Sequence, residues 1–596
     1  MPNYSILHKQ DIFITEKYEP DIRRDELSFL SRSFERHFNE RPYLHHTCYL
    51  FLTKTTKERS RQQSNWNTLC RGFLVPKEIR DKETVERFME AVGQFESIVN
   101  DSGLVKLERL TTEEITGTES EPGIIERYLT LSADGSRMLQ DMQLNPDEMR
   151  IGDKRLCLHT LSDLDDLPGK VRTDGRYERL STDRSDCRLS HAAPVGVMLP
   201  CDHIYNQWIF IDDSNENLSR FEKAAKNMQS LSRYSRSNQI NKEWLDEYLN
   251  EAHSNGLQSI RCHCNVIAWA ENGEELRRVK NDVGSALALM ECTPHHNTTD
   301  LPAVYWAGIP GNEADFPSEE TFYTFTGQAL CFFTAETCYR NSLSPFGIRM
   351  VDRLTGKPVF LDISDLPMKK GVVTNRNKFI LGPSGSGKSF FTNHLVRQYW
   401  EQGTHILLVD TGNSYKGLCD LIHQKTGGDD GIYFTYKEDD PISFNPFFTE
   451  DYQYDIEKRD SIKTLILTLW KREDEPPRRS EEVALSNAVS LYIEKIKKNR
   501  KIKPNFNSFY DFVKKDYRKV LADKNVREKD FDVDGFLNVL EPYYKNGEYG
   551  YLLNSDKELD LLNKRFIVFE LDVVKDNPIL FPVVTIIIME TFINKM

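Results

Sequence analysis

The most constraining feature of this chain is the stretch from Phe379 to Trp400, which reads FILGPSGSGKSFFTNHLVRQYW. It contains the phosphate-binding pattern G-x-x-x-x-G-K-[ST], with Gly382, Gly387, Lys388 and Ser389 at the four fixed positions. Glycines lack a Cβ, so backbone N–H groups can turn inward around an anion, and the helix that follows points its positive end at the same place. The pattern predicts a nucleotide site. The competing interpretation is a glycine-rich surface turn before a helix.

The residues on either side of the loop fit the nucleotide prediction. Phe379 to Leu381 is a short apolar run of the kind that ends a buried strand, and Ser389 begins a segment with helical spacing of apolar residues. In such a loop Lys388 reaches the β- and γ-phosphates, and the Ser389 hydroxyl is a ligand for Mg²⁺. Lys388 is therefore the candidate catalytic residue, and ATP and Mg²⁺ are the expected cofactors. The predicted contact set is Gly382, Pro383, Ser384, Gly385, Ser386, Gly387, Lys388, Ser389 and Phe390.

Composition limits the other functions open to the chain. Its 596 residues exceed what one core supports and predict three to four domains. A net charge of −14 argues against a surface dedicated to nucleic-acid phosphates. The basic run Lys495 to Lys503 is open to contact with nucleic acid or acidic lipid, and a solvated face is the favoured interpretation. The eleven cysteines show no repeat, the N-terminus lacks a secretion signal, and no apolar stretch reaches about 18 residues. These features predict a cytoplasmic chain without a membrane span.

Changes in pattern along the chain divide it into four parts. Residues 1–340 mix β-like runs with amphipathic helices and predict an α+β region, possibly of two subdomains. Residues 341–454 contain the phosphate loop, its helix and a following strand, which is the building block of a parallel α/β nucleotide-binding domain. Residues 455–550 have helical spacing throughout and predict a helical insertion. Residues 551–596 return to the sheet of the nucleotide-binding domain and end in a helix.

Local patterns predict the individual elements. In the first part, strands are expected at Tyr43–Leu52, Leu104–Leu110, Leu156–Leu161 and Trp208–Ile211, and helices at Asp25–Phe38, Glu83–Val99, Leu218–Leu231, Glu243–Ala252 and Glu274–Leu289. Further on, a hairpin is expected from Phe346–Val351 and Pro358–Ile363, strands at Thr404–Asp410 and Arg565–Leu571, and helices at Ile462–Trp470, Glu481–Ile496, Phe506–Tyr517, Asp534–Tyr543 and Pro578–Met596.

Two groups of cysteines and histidines suggest a metal site without matching one. Cys262, His263 and Cys264 lie on a strand-like run, and alternation along a strand sends His263 to the face opposite the two thiols. Cys292 is followed by the pair His295 and His296, and the C-x₂-C spacing of zinc sites is absent. We therefore favour buried thiols and an exposed histidine pair.

Three residues compete for a place beside the nucleotide. Asp410 closes the strand after the loop helix, and it is either the Mg²⁺-associated acid or, as we favour, a strand-end acid beside the site. Glu570 ends the run RFIVFE, which fits both the second acidic motif of a phosphate-loop ATPase and any buried strand that ends at a carboxylate. Spacing alone leaves both interpretations of Glu570 open. Asn445, in the turn SFNPF, is a weaker candidate, with a plain loop as the default.

Several segments together resemble the TraG-type conjugation ATPases of conjugative transposons, cousins of the large ATPase of type IV secretion systems. The matching text is GPSGSGKSFFTNHLVRQYWEQGTHILLVDTGNSYKGL, VYWAGIPGNEADFPSEETFYTF, FGIRMVDRLTGKPVFLDISDLPMKKG, SFNPF and RFIVFELDVVKDNPILFPVVTIIIMETFINKM. The resemblance covers most of the chain. It implies a RecA-like motor domain with an all-helical insertion, behind an N-terminal region that docks on the secretion apparatus.

The same resemblance implies ATP hydrolysis that energises DNA or protein transfer. The motor would be a homo-oligomer in the cytoplasm, peripheral at the inner membrane, with inner-membrane components of the apparatus as partners. It places the acidic second motif beyond the helix Pro578–Met596, so that Glu570 would not be the catalytic acid. This chain would then be truncated and bind nucleotide without turning it over. The alternative functions are a DNA-translocating coupling protein or helicase-like pump, and a nucleotide-dependent scaffold without catalysis.

Overall fold

The chain divides into two compact units in the computed structural model. One comprises Met1–Asn341 with Arg349–Phe360, and the other Ser342–Ile348 with Leu361–Met596. The residues that the structure describes are 3–17, 32, 36, 41–56, 81–132, 140–145, 148–171, 175–179, 181, 186–231, 234–296, 299–337, 339–435, 443–449, 452–471, 475–555, 564–577 and 580–595.

The first unit is built on long strands with helices between them. Its strands are β1 (Asn3–Glu16), β2 (Tyr43–Thr56), β3 (Met142–Leu144), β4 (Met149–Ile151), β5 (Lys154–Leu161), β6 (His203–Ile211), β7 (Ser259–Ala270), β8 (His295–His296) and β9 (Phe322–Phe325). Its helices are α1 (Lys82–Asp101), α2 (Thr112–Thr116), α3 (Ile124–Thr130), α4 (Ser214–Leu231), α5 (Arg236–Asn255), α6 (Gly273–Leu289), α7 (Leu301–Ala307) and α8 (Thr326–Leu330).

These strands form one antiparallel sheet of nine strands. Its order is β2-β1-β6-β7-β5-β4-β3, with β8 paired to β5 and β9 paired to β7. Both faces are covered, because alternate side chains of the central strands enter two different cores. Cys262 and Cys264 of β7 pack with Val283 of α6 on one face, whereas Trp208 of β6 packs with Tyr305 on the other.

Most of the local predictions for this unit are confirmed, and one is wrong. The strand expected at Leu104–Leu110 is irregular backbone instead. The Asn100 carboxamide at the end of α1 accepts a hydrogen bond from the Leu107 amide at 2.6 Å, so a side chain takes the place of a strand partner. Leu104 is 89% exposed, so the apolar run has no core to enter. The helix expected at Asp25–Phe38 lies outside the described residues.

The second unit contains a small parallel sheet and a larger group of helices. Its elements, with the hairpin that precedes them, are β10 (Ile348–Val351), β11 (Pro358–Leu361), α9 (Asp365–Lys369), α10 (Lys388–Glu401), β12 (Ile406–Asp410), α11 (Lys416–Lys425), β13 (Ile432–Thr435), α12 (Ile456–Trp470), α13 (Arg479–Lys498), α14 (Phe506–Phe512), α15 (Arg518–Asp523), α16 (Val533–Leu540), β14 (Phe566–Glu570) and α17 (Leu580–Lys595). A π-helical turn, Val513–Tyr517, joins α14 to α15.

The parallel sheet has the order β12-β14-β13 and confirms the α/β class of this unit. Parallel register sets Asp410 and Thr435 opposite Glu570, so three strand ends meet at one edge. The buried strand expected at Phe379–Leu381 is wrong, since this segment is not in a strand and Phe379 is 89% exposed. An apolar run forms a strand only where a neighbour supplies the ladder and a core takes its side chains, and no described strand pairs with this segment.

The helices expected between residues 455 and 550 are confirmed. They surround one core that contains Leu485, Tyr492 and Phe509 and that also receives Ile567 and Phe569 of β14. The helical segment and the sheet of the second unit therefore share a core. Within the described residues, no helix is long and apolar enough to cross a membrane.

Asp430 is the buried acid that positions the first residue of β14. One carboxylate oxygen accepts hydrogen bonds from the backbone amides of Arg565 (2.9 Å) and Phe566 (2.7 Å), and the other accepts the indole N–H of Trp400 at 2.6 Å. We expect Asp430→Ala to lower the free energy of unfolding of this unit by about 3 kcal/mol, because buried donors would lose their acceptor.

Urea unfolding followed by pulsed hydrogen exchange in β14 measures this effect of Asp430. Asp429→Ala is the matched control, since Asp429 is exposed and should change the stability by less than about 0.5 kcal/mol. Equal stabilities of the two variants would contradict the assigned role.

Candidate nucleotide site

The loop from Gly382 to Ser389 has the backbone that an anion cradle needs. Gly385 and Gly387 have φ angles of +77° and +89°, which lie in the left-handed region that favours glycine. The residues from Ser384 to Gly387 are exposed, and α10 begins at Lys388, directly after the second of these glycines. Successive amides in such turns form a concave anion site at the positive end of the helix. The sequence predicted a glycine-rich loop directly before a helix, and the structure has this backbone; the nucleotide contacts of the loop stay a prediction.

Lys388 folds back across its own loop. Its Nζ donates hydrogen bonds to the carbonyl oxygens of Gly382 and Pro383, both at 2.8 Å. Both acceptors belong to the loop itself, so the ammonium is held beside the cradle. Ser389 and Phe390 follow on the first turn of α10, and both are exposed.

A second segment, Thr411–Tyr415 after β12, is attached to the first turns of α10. Asn393 of α10 donates from the same amide nitrogen to the carbonyl oxygens of Ser389 (2.9 Å) and Ser414 (3.1 Å). We call residues 411–415 the linker turn. Because Asn393 touches both the helix residue next to Lys388 and this turn, their positions depend on each other.

Asp410 holds the linker turn from within. Its carboxylate accepts the backbone amides of Thr411 at 3.0 Å and of Ser414 at 2.5 Å. Within the part of the chain that the structure describes, Asp410 makes no hydrogen bond to Lys388 or Ser389. These contacts are those of a strand-end acid beside the site, the interpretation favoured from the sequence, and the Mg²⁺ role of Asp410 stays untested.

Glu570 holds the same turn from the neighbouring strand. It is 4% exposed, and its carboxylate accepts the Asn413 backbone amide at 2.7 Å and the Asp572 amide at 2.9 Å. The Tyr433 hydroxyl lies 3.2 Å from this carboxylate and 2.5 Å from the carboxamide oxygen of Asn413. Burial, followed by the nearby charge of Glu570, raises the pKa of Tyr433, so its hydroxyl stays a donor. Asn413 has a φ of +55°, a left-handed conformation that asparagine tolerates better than most residues. Sequence reasoning missed Asn393, Asn413 and Tyr433, although the Gly-Asn dipeptide after Asp410 is a turn signal.

Variants of Glu570 and Tyr433 distinguish a positioning role of Glu570 from a catalytic role. We expect Glu570→Gln to lower the free energy of unfolding of the second unit by about 1–2 kcal/mol, because the two backbone amides use different carboxylate oxygens and an amide side chain keeps only one of them. Tyr433→Phe should lower it by about 1 kcal/mol, and both variants should still bind nucleotide. Urea unfolding and a nucleotide titration measure the two effects. If the unaltered chain hydrolyses ATP, a Glu570→Gln variant of unchanged stability that binds ATP and has lost this hydrolysis would instead mark Glu570 as the catalytic acid.

The remaining sequence candidates have structural partners. The Asn445 amide donates to the carbonyl of Pro504 at 2.9 Å, and its oxygen accepts the Phe447 amide at 3.1 Å, so these contacts hold a turn against the helices. Cys262 and Cys264 are buried, and His295 is exposed and lies 2.8 Å from Asp166. No cluster of metal-ligating side chains is present among the described residues.

The loop fits an ATP–Mg²⁺ ligand on its own geometry. Gly385 and Gly387 are left-handed and carry no side chain that could cover the backbone amides of the loop. A Cβ added at either position would meet no atom within 4 Å, so the space beside the loop is open. Lys388 supplies the cation and Ser389 the hydroxyl, which are the donor types for phosphate oxygens and for Mg²⁺. Both groups come from the first turn of one helix.

Comparison with known proteins identifies a P-loop domain in the part of the chain that contains this loop. Residues 347–596 match the TraG P-loop domain family. Over 263 residues the chain is 25% identical to Protein TraC of Escherichia coli (strain K12), an alignment that covers 43% of this chain and 27% of TraC. Over 337 residues it is 20% identical to Type IV secretion system protein virB4 of Bartonella quintana (strain Toulouse), covering 56% of this chain and 38% of that protein.

A solved structure, that of VirB4 of Thermoanaerobacter pseudethanolicus, matches 39% of this chain and 59% of its own, at 23% identity and a TM-score of 0.28. The family and sequence matches confirm the resemblance predicted from the sequence. The aligned parts span between about a quarter and two fifths of the curated relatives.

Proposed function

We propose, from the match of residues 347–596 to the TraG P-loop domain family, that the chain is the ATP-binding motor subunit of a conjugation or type IV secretion apparatus. ATP hydrolysis by the assembled motor would supply the energy for transfer of DNA or protein. The sequence matches to TraC and virB4, at 25% and 20% identity, support the proposal that the apparatus is a conjugation or type IV secretion system. We further propose a homo-oligomer that works in the cytoplasm against inner-membrane components of the apparatus.

The observation that carries this proposal is the position of the Lys388 ammonium group beside the phosphate loop. Its ammonium is already held over the loop by two carbonyl oxygens at 2.8 Å. Phosphate oxygens are stronger acceptors because they are charged, so an arriving triphosphate would take over these hydrogen bonds with little movement of the side chain. The amides around Gly385 and the N-terminus of α10 would hold the remaining oxygens.

Ser389 is the residue that would hold Mg²⁺, through its hydroxyl. When bound, Mg²⁺ neutralises charge on the phosphates and so assists phosphoryl transfer. The contribution of this chain is to place the hydroxyl one residue after Lys388, on the same turn of α10.

The linker turn is the part of the site that would sense the nucleotide. Asn393 connects it to the residue that follows Lys388, and Glu570 connects it to β14, whose side chains enter the helical core. A shift of α10 on nucleotide binding would therefore reach the sheet through hydrogen bonds of 2.7 to 3.1 Å. We propose this route as the connection between the nucleotide and the rest of the second unit.

Titration of the full chain with a fluorescent ATP analogue tests the proposal. We expect saturable binding in the micromolar range that weakens at least tenfold when EDTA removes Mg²⁺, and competition by unlabelled ATP. Adenosine should not compete, because the loop grips the phosphates and not the base. Absence of binding, or equal competition by adenosine, would contradict the assignment of this site.

A further inference from the structure

A small cavity lies in the first unit, away from any feature used above. It has a volume of about 40 Å³ and opens between the paired strands β1 and β2 and the helix α3. Its walls are mostly apolar and include Ile12, Ile124, Leu131 and Ile204, each at most 8% exposed. At about 10–15 Å³ for each water-sized probe, the space accommodates about three waters, or one branched aliphatic side chain.

The wall of this cavity is held rigidly. Tyr128 of α3 and Tyr305 of α7 each donate their hydroxyl to the other's carbonyl oxygen at 2.8 Å. Leu131, which ends α3, has a φ of +49° and is 1% exposed. A left-handed leucine costs about 1–2 kcal/mol, and Lys154 compensates by donating to its carbonyl oxygen at 2.5 Å. The cavity persists because these contacts prevent the wall from collapsing into it.

Charged groups at the cavity favour an anion. Arg127 of α3 lines it, and its Nε is buried without a hydrogen-bond partner within the described part of the chain. Lys357 lies 3.1 Å from His45, a second lining residue whose pKa is lowered to about 4 by burial and then by the charge of Lys357, so that the imidazole is neutral at pH 7. Glu16 is the one lining carboxylate, and it already accepts the Tyr43 hydroxyl at 3.1 Å. The lining residues Arg127 and Glu16 have opposite charges, and Lys357 beside His45 adds one positive charge.

We propose that this cavity binds the carboxyl-terminal residue of a partner polypeptide, with a leucine or isoleucine side chain inside and the carboxylate on Arg127. The apolar walls match a branched aliphatic group by size and chemistry. Arg127 lines the cavity, and its guanidinium would give a carboxylate a charge-assisted hydrogen bond. A neutral ligand would lack this charge-assisted hydrogen bond, so a terminal carboxylate would bind more tightly than an internal leucine.

N-acetyl-leucine is the minimal probe, and N-acetyl-leucinamide is its neutral counterpart. Saturation-transfer NMR and calorimetry on the full chain should give a dissociation constant of about 1–10 mM for N-acetyl-leucine, and at least tenfold weaker binding for the amide. N-acetyl-alanine should also bind at least tenfold more weakly, because it leaves the cavity unfilled. Equal binding of acid and amide, or no binding of N-acetyl-leucine at 20 mM, would overturn the proposal.

Two variants locate the binding on the structure. Arg127→Met keeps the aliphatic stem and removes the cation, and it should weaken binding of N-acetyl-leucine at least tenfold. Arg278→Met is the matched control, since the Arg278 side chain is 84% exposed on α6, and it should leave binding unchanged. Chemical shifts of Ile methyl groups at positions 12, 124 and 204 should move on titration. Unchanged affinity in Arg127→Met, or shifts confined to other methyl groups, would place the probe elsewhere and refute this site.

Discussion

Replacing Lys388 with alanine should weaken ATP binding by at least about 100-fold while leaving the stability of the second unit unchanged. The ammonium is expected to exchange its two carbonyl acceptors for phosphate oxygens, and charge-assisted hydrogen bonds contribute about 1.5–3 kcal/mol each. The loop carbonyls that lose the ammonium belong to exposed or half-exposed residues, so water replaces it at little cost. A fluorescent-nucleotide titration and a urea unfolding curve measure the two halves of this prediction.

The control for Lys388 is Lys370→Ala, which removes one exposed lysine from the same unit and keeps the same net charge as the test variant. It should bind nucleotide like the unaltered chain. In a transfer assay in cells, the Lys388 variant should fail and the Lys370 variant should succeed. Full transfer by the Lys388 variant would favour a scaffold that does not use nucleotide.

The first unit should lose much of its stability between pH 7.5 and pH 5. His8, His203 and His263 are fully buried, and burial is the main reason that their pKa values fall to about 3, about 4 and about 3. The unfolded chain therefore binds protons below pH 6.5 that the folded chain excludes, so stability is retained above this pH and decreases as pH falls toward 4. Each histidine contributes a loss of about 2 kcal/mol by pH 5.

A loss of this size is comparable to the whole stability of many domains, which is about 5–15 kcal/mol. Pulsed hydrogen exchange after urea equilibration, read on peptides from β6 and β7, measures it, with peptides from α13 as an internal reference in the second unit. Replacing His263 with phenylalanine should reduce the pH dependence by about 2 kcal/mol, whereas the same change at the exposed His253 should not. Equal unfolding free energies at the two pH values would refute the assignment.

The local signals of this chain are strong where the structural requirement is itself local. The phosphate loop is one example, because left-handed φ at Gly385 and Gly387 and a helix beginning at Lys388 are demands on eight consecutive residues. The long amphipathic helices are another, since their spacing records which side faces a core. The alternation that sets His263 opposite Cys262 and Cys264 was predictable for the same reason.

Strand predictions were weaker, because a strand depends on its neighbours. The runs at 104–110 and 379–381 have the apolar character of strands, yet neither gains a ladder among the described residues. The sequence of either run does not indicate whether a strand from elsewhere in the chain pairs with it. Asp430 illustrates the converse, because the backbone amides it accepts belong to residues 135 and 136 positions later.

Glu570 also shows the difference between what local sequence predicts and what long-range contacts decide. Its sequence context, four apolar residues before an acid, describes both a catalytic carboxylate and a structural one. Only the tertiary structure brings it to the Asn413 amide, 157 positions earlier, and to the Tyr433 hydroxyl, 137 positions earlier. By itself the sequence determined the phosphate loop, its helix and the family resemblance, since these depend on bonds and dihedral angles within short segments. The fold alone decided which carboxylates hold the linker turn and which apolar runs become strands, because hydrogen-bond partners far apart in sequence leave no local trace.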